Sequence, residues 1–271
     1  MATLLLGERI AKNILDDLKA QVAGKKLQLA VVQVGSNPVS EKYIKEKKKA
    51  AKFLGVRFRL VKISSATSQE KMETIVENLG RDKSISGMIV QLPLPKSVRM
   101  QDILNRIPLR KDVDVLSSAA FGLFALGQFP VVPPTVWAVS SLLEEYGIST
   151  KGKRVVIVGA GRLVGMPLTL WFLQQGATVS VATKSTKNLG ALTRSADILI
   201  SATGQQNLIK GVMVKRGAVV IDAGTSVESG KTKGDVDFRS VSKKAGFITP
   251  VPGGVGPLTV ACLFQNLCKL S

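Results

Sequence analysis

At positions 34–47 the chain reads Val-Gly-Ser-Asn-Pro-Val-Ser-Glu-Lys-Tyr-Ile-Lys-Glu-Lys, which joins a strand to a helix. The apolar run 28–34 is typical of a buried strand, and the Gly-Ser-Asn-Pro after it signals a turn with proline in the first helical turn. Helical residues continue until Gly55, which suits a left-handed C-terminal cap. The rest of the fold is predicted by extending this strand–turn–helix unit along the chain.

Tyr43 and Lys47 lie four residues apart on the predicted helix 38–54, and therefore on one face. A tyrosine ring beside an amine can stack on a flat substrate and move its protons, which makes the pair a candidate site. The alternative is a solvated basic face, because five further lysines surround the pair. These are Lys42, Lys45, Lys48, Lys49 and Lys52.

Short β-branched runs alternate with helical stretches along the whole chain, which predicts a parallel sheet covered on both faces. The predicted strands are 28–34, 56–62, 85–90, 153–158, 177–182, 197–202 and 218–222. The predicted helices are 8–22, 38–54, 69–80, 98–107, 135–146, 165–176 and 258–270. In such sheets ligands bind beyond the carboxyl ends of strands. The turn at Gly35 and Gln91 both follow strands, so we expect them to converge.

A length of 271 residues suggests two domains. No apolar run reaches the roughly 20 residues of a membrane span, and the N-terminus lacks the pattern of a signal peptide. The only cysteines, Cys262 and Cys268, fit neither a zinc pattern nor a disulfide framework. We therefore expect a protein of the reducing cytoplasm.

The chain contains no histidine. This excludes a Ser-His-Asp triad, a Cys-His pair and a histidine-ligated metal, and no metal site is predicted. Acid–base chemistry near neutral pH must come from Lys, Tyr, Asp or Glu with a shifted pKa, or from the substrate.

The net charge of +19 indicates an anionic partner. The lysines are spread along the chain, aromatic residues make up only 5%, and no nucleic-acid-binding motif is present. We therefore expect no specific nucleic acid, and assign part of the charge to a polyanionic substrate and a phosphorylated cofactor.

The apolar strand 153–158 runs into Gly159-Ala-Gly161, and a helix is predicted to begin near Gly165. The spacing G-x-G-x-x-x-G is one residue longer than the common dinucleotide fingerprint, but its physics is the same. Glycines let the backbone approach a pyrophosphate, and the helix N-terminus offers free N–H groups. The motif predicts a nucleotide site.

The next strand, 177–182, should end near the adenosine ribose, where an NAD site usually carries an acid. Here Thr183-Lys-Ser-Thr follows, without a carboxylate. Lys184 suits a 2′-phosphate and Arg162 is a second candidate cation, so the residues favour NADP.

Later strands end in small residues, Thr203-Gly204 and Ala223-Gly-Thr225, as expected where backbone lines a cofactor. The segment 248–257 holds three glycines and three prolines, which predicts a rigid loop with close backbone approach. Residues 111–114, Lys-Asp-Val-Asp, read on their own as a solvated ion-pair cluster.

Five ordered motifs resemble the bifunctional methylenetetrahydrofolate dehydrogenase/cyclohydrolase family over nearly the full length. They are Val34-Gly35…Tyr43-x-x-x-Lys47, Gln91-Leu-Pro-Leu-Pro95, Lys111-Asp-Val-Asp114, Val158-Gly-x-x-x-x-Val-Gly-x-Pro167 and Thr249-Pro-Val-Pro-Gly-Gly-Val-Gly-Pro257. The last of these is the most specific.

The resemblance implies roles for individual residues. Lys47 matches the lysine essential to the cyclohydrolase step, Gln91 its hydrogen-bonding glutamine, and Tyr43 the tyrosine that stacks on the aminobenzoyl ring. Asp114 matches the carboxylate that recognises the pterin, and the loop Pro252-Gly253-Gly254 is expected to contact substrate. The expected cofactor-binding residues are Gly159, Ala160, Gly161, Arg162, Gly165, Lys184, Ser185, Thr203, Gly204 and Thr225.

The family also implies an architecture: an α/β protein of two domains flanking a cleft, the C-terminal one a Rossmann-type doubly wound parallel sheet. We expect a folate-binding catalytic domain at 1–137, with helix 255–271 packed back on it, and an NADP-binding domain at 138–254. A homodimer through the cofactor domain is likewise implied.

The implied chemistry oxidises methylenetetrahydrofolate to the methenyl form with NADP, and hydrolyses that to 10-formyltetrahydrofolate. The substrates would be tetrahydrofolates, free or polyglutamylated. The products would serve one-carbon metabolism and purine biosynthesis.

The chain departs from the family pattern at several positions. Val115 stands where the family has glycine after Lys-Asp-Val-Asp, which would crowd the pterin pocket. The other departures are Val136 for proline, Ala138 for glycine, Ala160-Gly161 for Arg-Ser or Ala-Ser, and Thr183 for a frequent histidine.

Four alternative functions share some of these features. A short-chain dehydrogenase also uses Tyr-x-x-x-Lys, but places its nucleotide glycines before the tyrosine, whereas Gly159 comes long after Tyr43. A two-domain dehydrogenase for a small acid is a related alternative. A monofunctional dehydrogenase without cyclohydrolase activity is another, and the retention of Lys47 with Gln91 argues against it. A diverged basic binding protein without turnover is the alternative from another class.

Overall fold

The computed structural model describes residues 2–228 and 231–271. The helices are Gly7–Val22 (α1), Pro38–Leu54 (α2), Gln69–Arg81 (α3), Met100–Leu104 (α4), Ser118–Ala125 (α5), Pro134–Glu145 (α6), Gly165–Gln174 (α7), Leu189–Arg194 (α8), Phe238–Val241 (α9) and Val255–Leu270 (α10). The strands are Thr3–Leu4 (β1), Gln28–Val34 (β2), Arg57–Ile63 (β3), Gly87–Gln91 (β4), Arg154–Val158 (β5), Thr178–Ala182 (β6), Ile198–Ser201 (β7), Val219–Asp222 (β8), Ser226–Glu228 (β9), Lys231–Lys233 (β10) and Phe247–Ile248 (β11). All predicted strands are confirmed, each within two residues of its predicted bounds.

The chain divides into two compact units, each of which combines two stretches of sequence. One unit holds the residues up to Ala11 together with Thr135–Thr259, and the other holds Lys12–Pro134 and Val260–Ser271. The N-terminal segment differs from the expected domain 1–137. It groups with the later unit because Thr3 of β1 pairs with Phe247 of β11.

The unit of residues 12–134 and 260–271 contains a three-stranded parallel sheet with β2 at its centre, between β3 and β4. Both faces of β2 are buried, since its residues 29–34 are all buried. Helix α2 has the predicted bounds. Its N–H groups are capped by the Asn37 side chain, which accepts from Ser40 N, and it ends at Gly55 with a left-handed φ of 73°.

The other unit contains a six-stranded parallel sheet of order β1-β11-β8-β7-β5-β6, and this confirms the predicted doubly wound sheet. Strand β5 lies between β6 and β7, so the winding direction reverses there. Such a reversal opens a crevice at the carboxyl ends of the strands, where doubly wound sheets bind nucleotides. A core of side chains from β5, β7 and β8 packs beneath it.

One helix is shorter than predicted, and another was not predicted. The predicted helix 98–107 is only α4, because the N–H groups of Arg106 and Ile107 bond to carbonyls three residues back and tighten its end. Helix α5 was not predicted. Its eight residues are almost all apolar or small and show no polar face, although Ser117 caps it by accepting from Ala120 N.

Across the described residues, none of the helices has the length and low charge needed to cross a membrane.

Candidate active site

Lys47 in the middle of α2 and Gln91 at the end of β4 lie side by side. The Lys47 ammonium donates to Gln91 Oε1 at 2.9 Å, and only 9% of this lysine is exposed. Gln91 Nε2 donates to the Leu92 carbonyl at 3.1 Å. The amide oxygen is therefore the atom held toward the lysine, and the amine has a neutral partner.

The two candidate readings of the lysine-rich helix apply to different residues. Lys42, Lys45, Lys48, Lys49 and Lys52 are all exposed, as a solvated face requires. Of the six lysines of α2, only Lys47 is buried. Ile44 and Ala51, about one helical turn away on either side of it, belong to the apolar core. Tyr43 is half-buried and packs against the same core, so the predicted pair lies at the boundary between core and solvent.

The electrostatics of the site follow from burial. Desolvation lowers the pKa of Lys47, while the negative charge of Asp114 partly opposes this. Burial likewise raises the pKa of Asp114, which Lys47 opposes and Asp112 reinforces. A lowered pKa leaves a larger fraction of this amine unprotonated than of an exposed lysine, and so favours proton transfer.

The Lys-Asp-Val-Asp motif is not a solvated cluster, and that reading was wrong. Lys111 is buried and donates to the carbonyls of Gly80 (2.8 Å) and Asp82 (2.7 Å), so it caps the C-terminal end of α3. Asp112 is fully buried and accepts from the N–H groups of Leu116 and Ser117. Lys111 and Asp112 therefore hold the turn in place. Asp114, the last residue of the motif, acts on Lys47 through its negative charge.

Val115 occupies a conformation that few β-branched residues adopt, since it is fully buried with φ at 58°. The family's glycine would take this backbone freely. We expect Val115→Gly to be more stable than Val115→Ala by up to about 1 kcal/mol. Both variants lose the two γ-methyl groups and glycine also loses the Cβ, but only glycine avoids the left-handed penalty. Urea unfolding of the two variants measures the difference.

The control for that comparison is Ala120 in the right-handed helix α5, which is also buried. Ala120→Gly should destabilise, since glycine costs roughly 1 kcal/mol in a helix interior. If alanine were the more stable residue at 115 as well, the backbone there would not carry the strain inferred from φ.

The atoms around the glycine turn after β5 determine which of its three glycines are sterically required. Gly159 has φ at 104°, and a Cβ there would overlap the Ala202 carbonyl. A Cβ on Gly165, at the start of α7, would overlap the Gly159 carbonyl. A Cβ on Gly161 would meet nothing within 4 Å. The helix N-terminus is therefore held against the turn, as an anion-binding site requires.

The predicted phosphate-binding cation follows β6, the strand beside β5. Lys184 and Ser185 are exposed in a turn closed by the Thr183 N–H, which donates to Thr186 Oγ1 at 2.8 Å. Arg162 lies half-buried in the glycine turn and Ala160 is exposed in it. Lys184 and Ser185 are therefore exposed on the turn that follows β6, and Arg162 lies in the turn that follows the neighbouring strand β5.

The remaining predicted cofactor residues follow β7 and β8, whose ends lie side by side because Ser201 pairs with Asp222. Gly204 has φ at 70° and Thr225 is half-buried. The loop Pro252–Gly254 belongs to the same unit, where the Gly253 carbonyl accepts from the N–H groups at the start of α1. Lys47, Tyr43, Gln91 and Asp114 belong to the other unit.

Sequence reasoning assigned no role to Asp222 and Asp235, although both are buried within reach of the cofactor loops. The available signal was their position: Asp222 is the last residue of a strand, and Asp235 lies in a Gly-Asp-Val-Asp run. A buried carboxylate at the end of an otherwise apolar strand requires hydrogen-bond partners, and these partners indicate its role.

Comparison with known proteins covers the whole chain. The catalytic-domain profile of the tetrahydrofolate dehydrogenase/cyclohydrolase family matches residues 5–114, and its NAD(P)-binding-domain profile matches 133–271. The bifunctional protein FolD of Lactobacillus helveticus is 41% identical, over 100% of this chain and 98% of its own.

Two solved structures are similar throughout. The bifunctional methylenetetrahydrofolate dehydrogenase/cyclohydrolase FolD of Campylobacter jejuni has a TM-score of 0.93 at 41% identity, over 100% of this chain and 98% of its own. The Trypanosoma brucei enzyme, complexed with NADP cofactor and inhibitor, has a TM-score of 0.94 at 34% identity, over 99% and 97%. With its buried lysine–amide pair and glycine turn, the chain belongs to the tetrahydrofolate dehydrogenase/cyclohydrolase family.

Proposed function

We propose that this enzyme oxidises methylenetetrahydrofolate to methenyltetrahydrofolate with NADP and hydrolyses the product to 10-formyltetrahydrofolate. The observation that carries the proposal is the buried Lys47, held at 2.9 Å by a neutral amide rather than by a carboxylate. The retention of Lys47 with Gln91 argues against a monofunctional dehydrogenase. The folate belongs to the unit of Lys47, and NADP to the unit of the glycine turn.

The residues around Lys47 carry the hydrolytic chemistry. Water adds to the methenyl carbon and loses a proton. The ring nitrogen takes up a proton when its bond to that carbon breaks, and the new hydroxyl group loses its proton to solvent as the formyl C=O forms. An amine with a lowered pKa can accept the first proton and return the second. Tyr43 supplies a ring face for the aminobenzoyl group, and Asp114 a carboxylate that accepts from pterin N–H groups.

The cofactor unit provides binding and orientation. The N-terminus of α7 and the turn at Gly159 suit the pyrophosphate, while Lys184, Ser185 and Arg162 suit the 2′-phosphate. Thr203, Gly204 and Thr225 line the adjoining strand ends. When bound, NADP accepts the hydride released from the methylene carbon.

The direct test uses purified enzyme with methylenetetrahydrofolate and either NADP⁺ or NAD⁺. Methenyltetrahydrofolate absorbance should rise with NADP⁺ and then decay as the cyclohydrolase consumes it. Accumulation without enzymatic decay would support the monofunctional alternative. Absence of turnover with both cofactors would favour a diverged binding protein, whose tight binding of nucleic acid at physiological salt could then be measured.

Gln91→Glu should inactivate the hydrolytic step at neutral pH without changing the size of the side chain. A carboxylate beside the Lys47 ammonium raises the pKa of that lysine, so its deprotonated fraction at neutral pH falls, and hydrolysis should slow by about tenfold or more. Because deprotonation is what the variant lacks, its rate should recover as pH rises. A pH profile of methenyltetrahydrofolate hydrolysis, corrected for the uncatalysed rate, tests this.

Lys184→Glu should weaken NADP⁺ binding relative to NAD⁺ by about tenfold, since it removes a cation and places a carboxylate near the ribose. The matched control is Lys187→Glu, an exposed lysine three residues further along the chain. The ratio of kcat/KM for the two cofactors reports the effect. An unchanged ratio would indicate that Arg162, and not Lys184, binds the 2′-phosphate.

Three further properties are part of the proposal. The exposed apolar residues Leu173 of α7 and Val181 of the edge strand β6 support a homodimer through the cofactor unit. Both cysteines are free thiols, which fits the cytoplasm. The exposed lysines of α2 fit polyglutamylated substrates, and the product fits one-carbon metabolism and purine biosynthesis.

A further inference from the structure

Two buried carboxyl groups lie at the carboxyl edge of the six-stranded sheet and take no part in the chemistry above. Asp222 ends β8 and is 3% exposed, and Asp235 follows β10 and is 1% exposed. Buried carboxylates cost free energy unless they are hydrogen-bonded. Their partners therefore show what the pair holds in place.

Asp235 binds the end of β7 and the loop after it. Its Oδ2 accepts from Ser201 Oγ at 2.8 Å, from Thr203 N at 2.6 Å and from Thr203 Oγ1 at 2.9 Å. Its Oδ1 is buried and has no hydrogen-bond partner among the described residues. All three hydrogen bonds to the Asp235 carboxyl group thus go to one oxygen. They come from the end of β7 and from the loop after it, which is part of the proposed cofactor site.

Asp222 uses both of its oxygens. Oδ1 accepts from the N–H of Gly224 at 3.0 Å and from the N–H of Asp235 at 3.1 Å. Oδ2 accepts from the N–H of Val236 at 2.9 Å. Asp222 therefore fixes the loop after β8 and, at the same time, the backbone that carries Asp235.

The glycines around the pair pack directly against it. A Cβ on Gly224 would overlap the Asp235 carboxyl group, and a Cβ on Gly234 would overlap Oδ2 of Asp222. Hydrogen bonds and packing thus form one continuous link. It runs from Thr203 through Asp235 and Asp222 to Gly224, which precedes Thr225.

We propose that Asp222 and Asp235 are positioning residues of the cofactor site, which hold the loop at Thr203–Gly204 and the loop at Gly224–Thr225 in fixed relation. This rests on the proposed function, in which both loops line NADP. The arrangement has a cost, since burial and the charge of Asp235 raise the pKa of Asp222 to about 6. The link between the two cofactor loops explains why two carboxyl groups are buried together here despite this cost.

The hydrogen bonds predict opposite responses to amide substitution. In Asp235→Asn, the amide oxygen can take all three donors, and the NH₂ group replaces the oxygen that has no partner. In Asp222→Asn, the NH₂ group must face at least one backbone N–H, because both oxygens accept. We therefore expect Asp235→Asn to keep KM for NADP⁺ within threefold of wild type (about 0.65 kcal/mol), and Asp222→Asn to raise it more.

The experiment measures KM for NADP⁺, KM for methylenetetrahydrofolate and direct NADP⁺ binding for Asp235→Ala and Asp235→Asn. Asp235→Ala should raise KM and Kd for NADP⁺ at least tenfold (about 1.4 kcal/mol), with a smaller change in KM for the folate, and Asp235→Asn should restore them. If Asp235→Ala does not fold, Ser201→Ala removes one hydroxyl donor and should raise KM for NADP⁺ severalfold.

Equal losses in Asp235→Ala and Asp235→Asn would overturn the inference, because the hydrogen-bond geometry would then not matter. Unchanged NADP⁺ binding in Asp235→Ala, or in Ser201→Ala where that variant is the one that folds, would also overturn it. A wild-type enzyme that binds no NADP⁺ would instead overturn the proposed function, and this inference with it.

Discussion

Lys47→Met should lower the enzymatic hydrolysis of methenyltetrahydrofolate by about 10²- to 10⁴-fold, the range that a positioned general acid–base contributes. Methionine has nearly the length of lysine and suits the apolar surroundings of residue 47, so the fold should persist. Removing the buried amine also removes the charge whose desolvation lowers the lysine pKa. The measurement follows the decay of methenyltetrahydrofolate supplied directly, so that NADP does not enter the assay.

Lys48→Met is the matched control, because it changes the next residue of the same helix on its exposed face. It removes the same net charge and should leave the rate within about twofold of wild type, as is usual for surface substitutions. If both variants lost activity equally, the basic face of α2 would act through its overall charge. A fully active Lys47→Met would rule out proton transfer by this lysine.

Spacing along α2 could predict that Tyr43 and Lys47 share a face, but not that Lys47 is buried. Six lysines in this helix look alike in the sequence, and only the pairing of β4 beside β2 brings Gln91 to one of them. Burial depends on this contact between residues 44 positions apart. The family's motifs identified the residue, and the packing of the sheet explains why it differs from its neighbours.

The strand–turn–helix units were predictable because their signals are local: an apolar run, a turn residue and a cap. The structural role of Lys111 was not, because its partners are carbonyls at the end of α3, which lies far earlier in the chain. The pairing of β1 with β11 was missed for the same reason, since each strand is only two residues long. Short strands and side-chain caps carry little periodic signal.

Gly165→Ala should reduce kcat/KM for NADP⁺ by about 10²-fold or more, an effect expected when a catalytic geometry shifts by about 1 Å. The new Cβ would overlap the carbonyl of Gly159, which is backbone and cannot rotate away. Either α7 or the glycine turn must therefore move, and both are expected to hold the pyrophosphate. The dehydrogenase reaction at varied NADP⁺ concentration provides the measurement.

Gly161→Ala provides the control within the same motif. A Cβ there meets no atom within 4 Å, and the residue does not have a positive φ. We therefore expect kcat/KM for NADP⁺ to fall much less than in Gly165→Ala, because the new methyl group displaces no part of the chain. A motif read only as a pattern of glycines predicts equal damage at both positions, whereas the packing predicts damage at Gly165 alone. Similar losses in the two variants would show that chain flexibility, and not close approach, is what the cofactor turn requires.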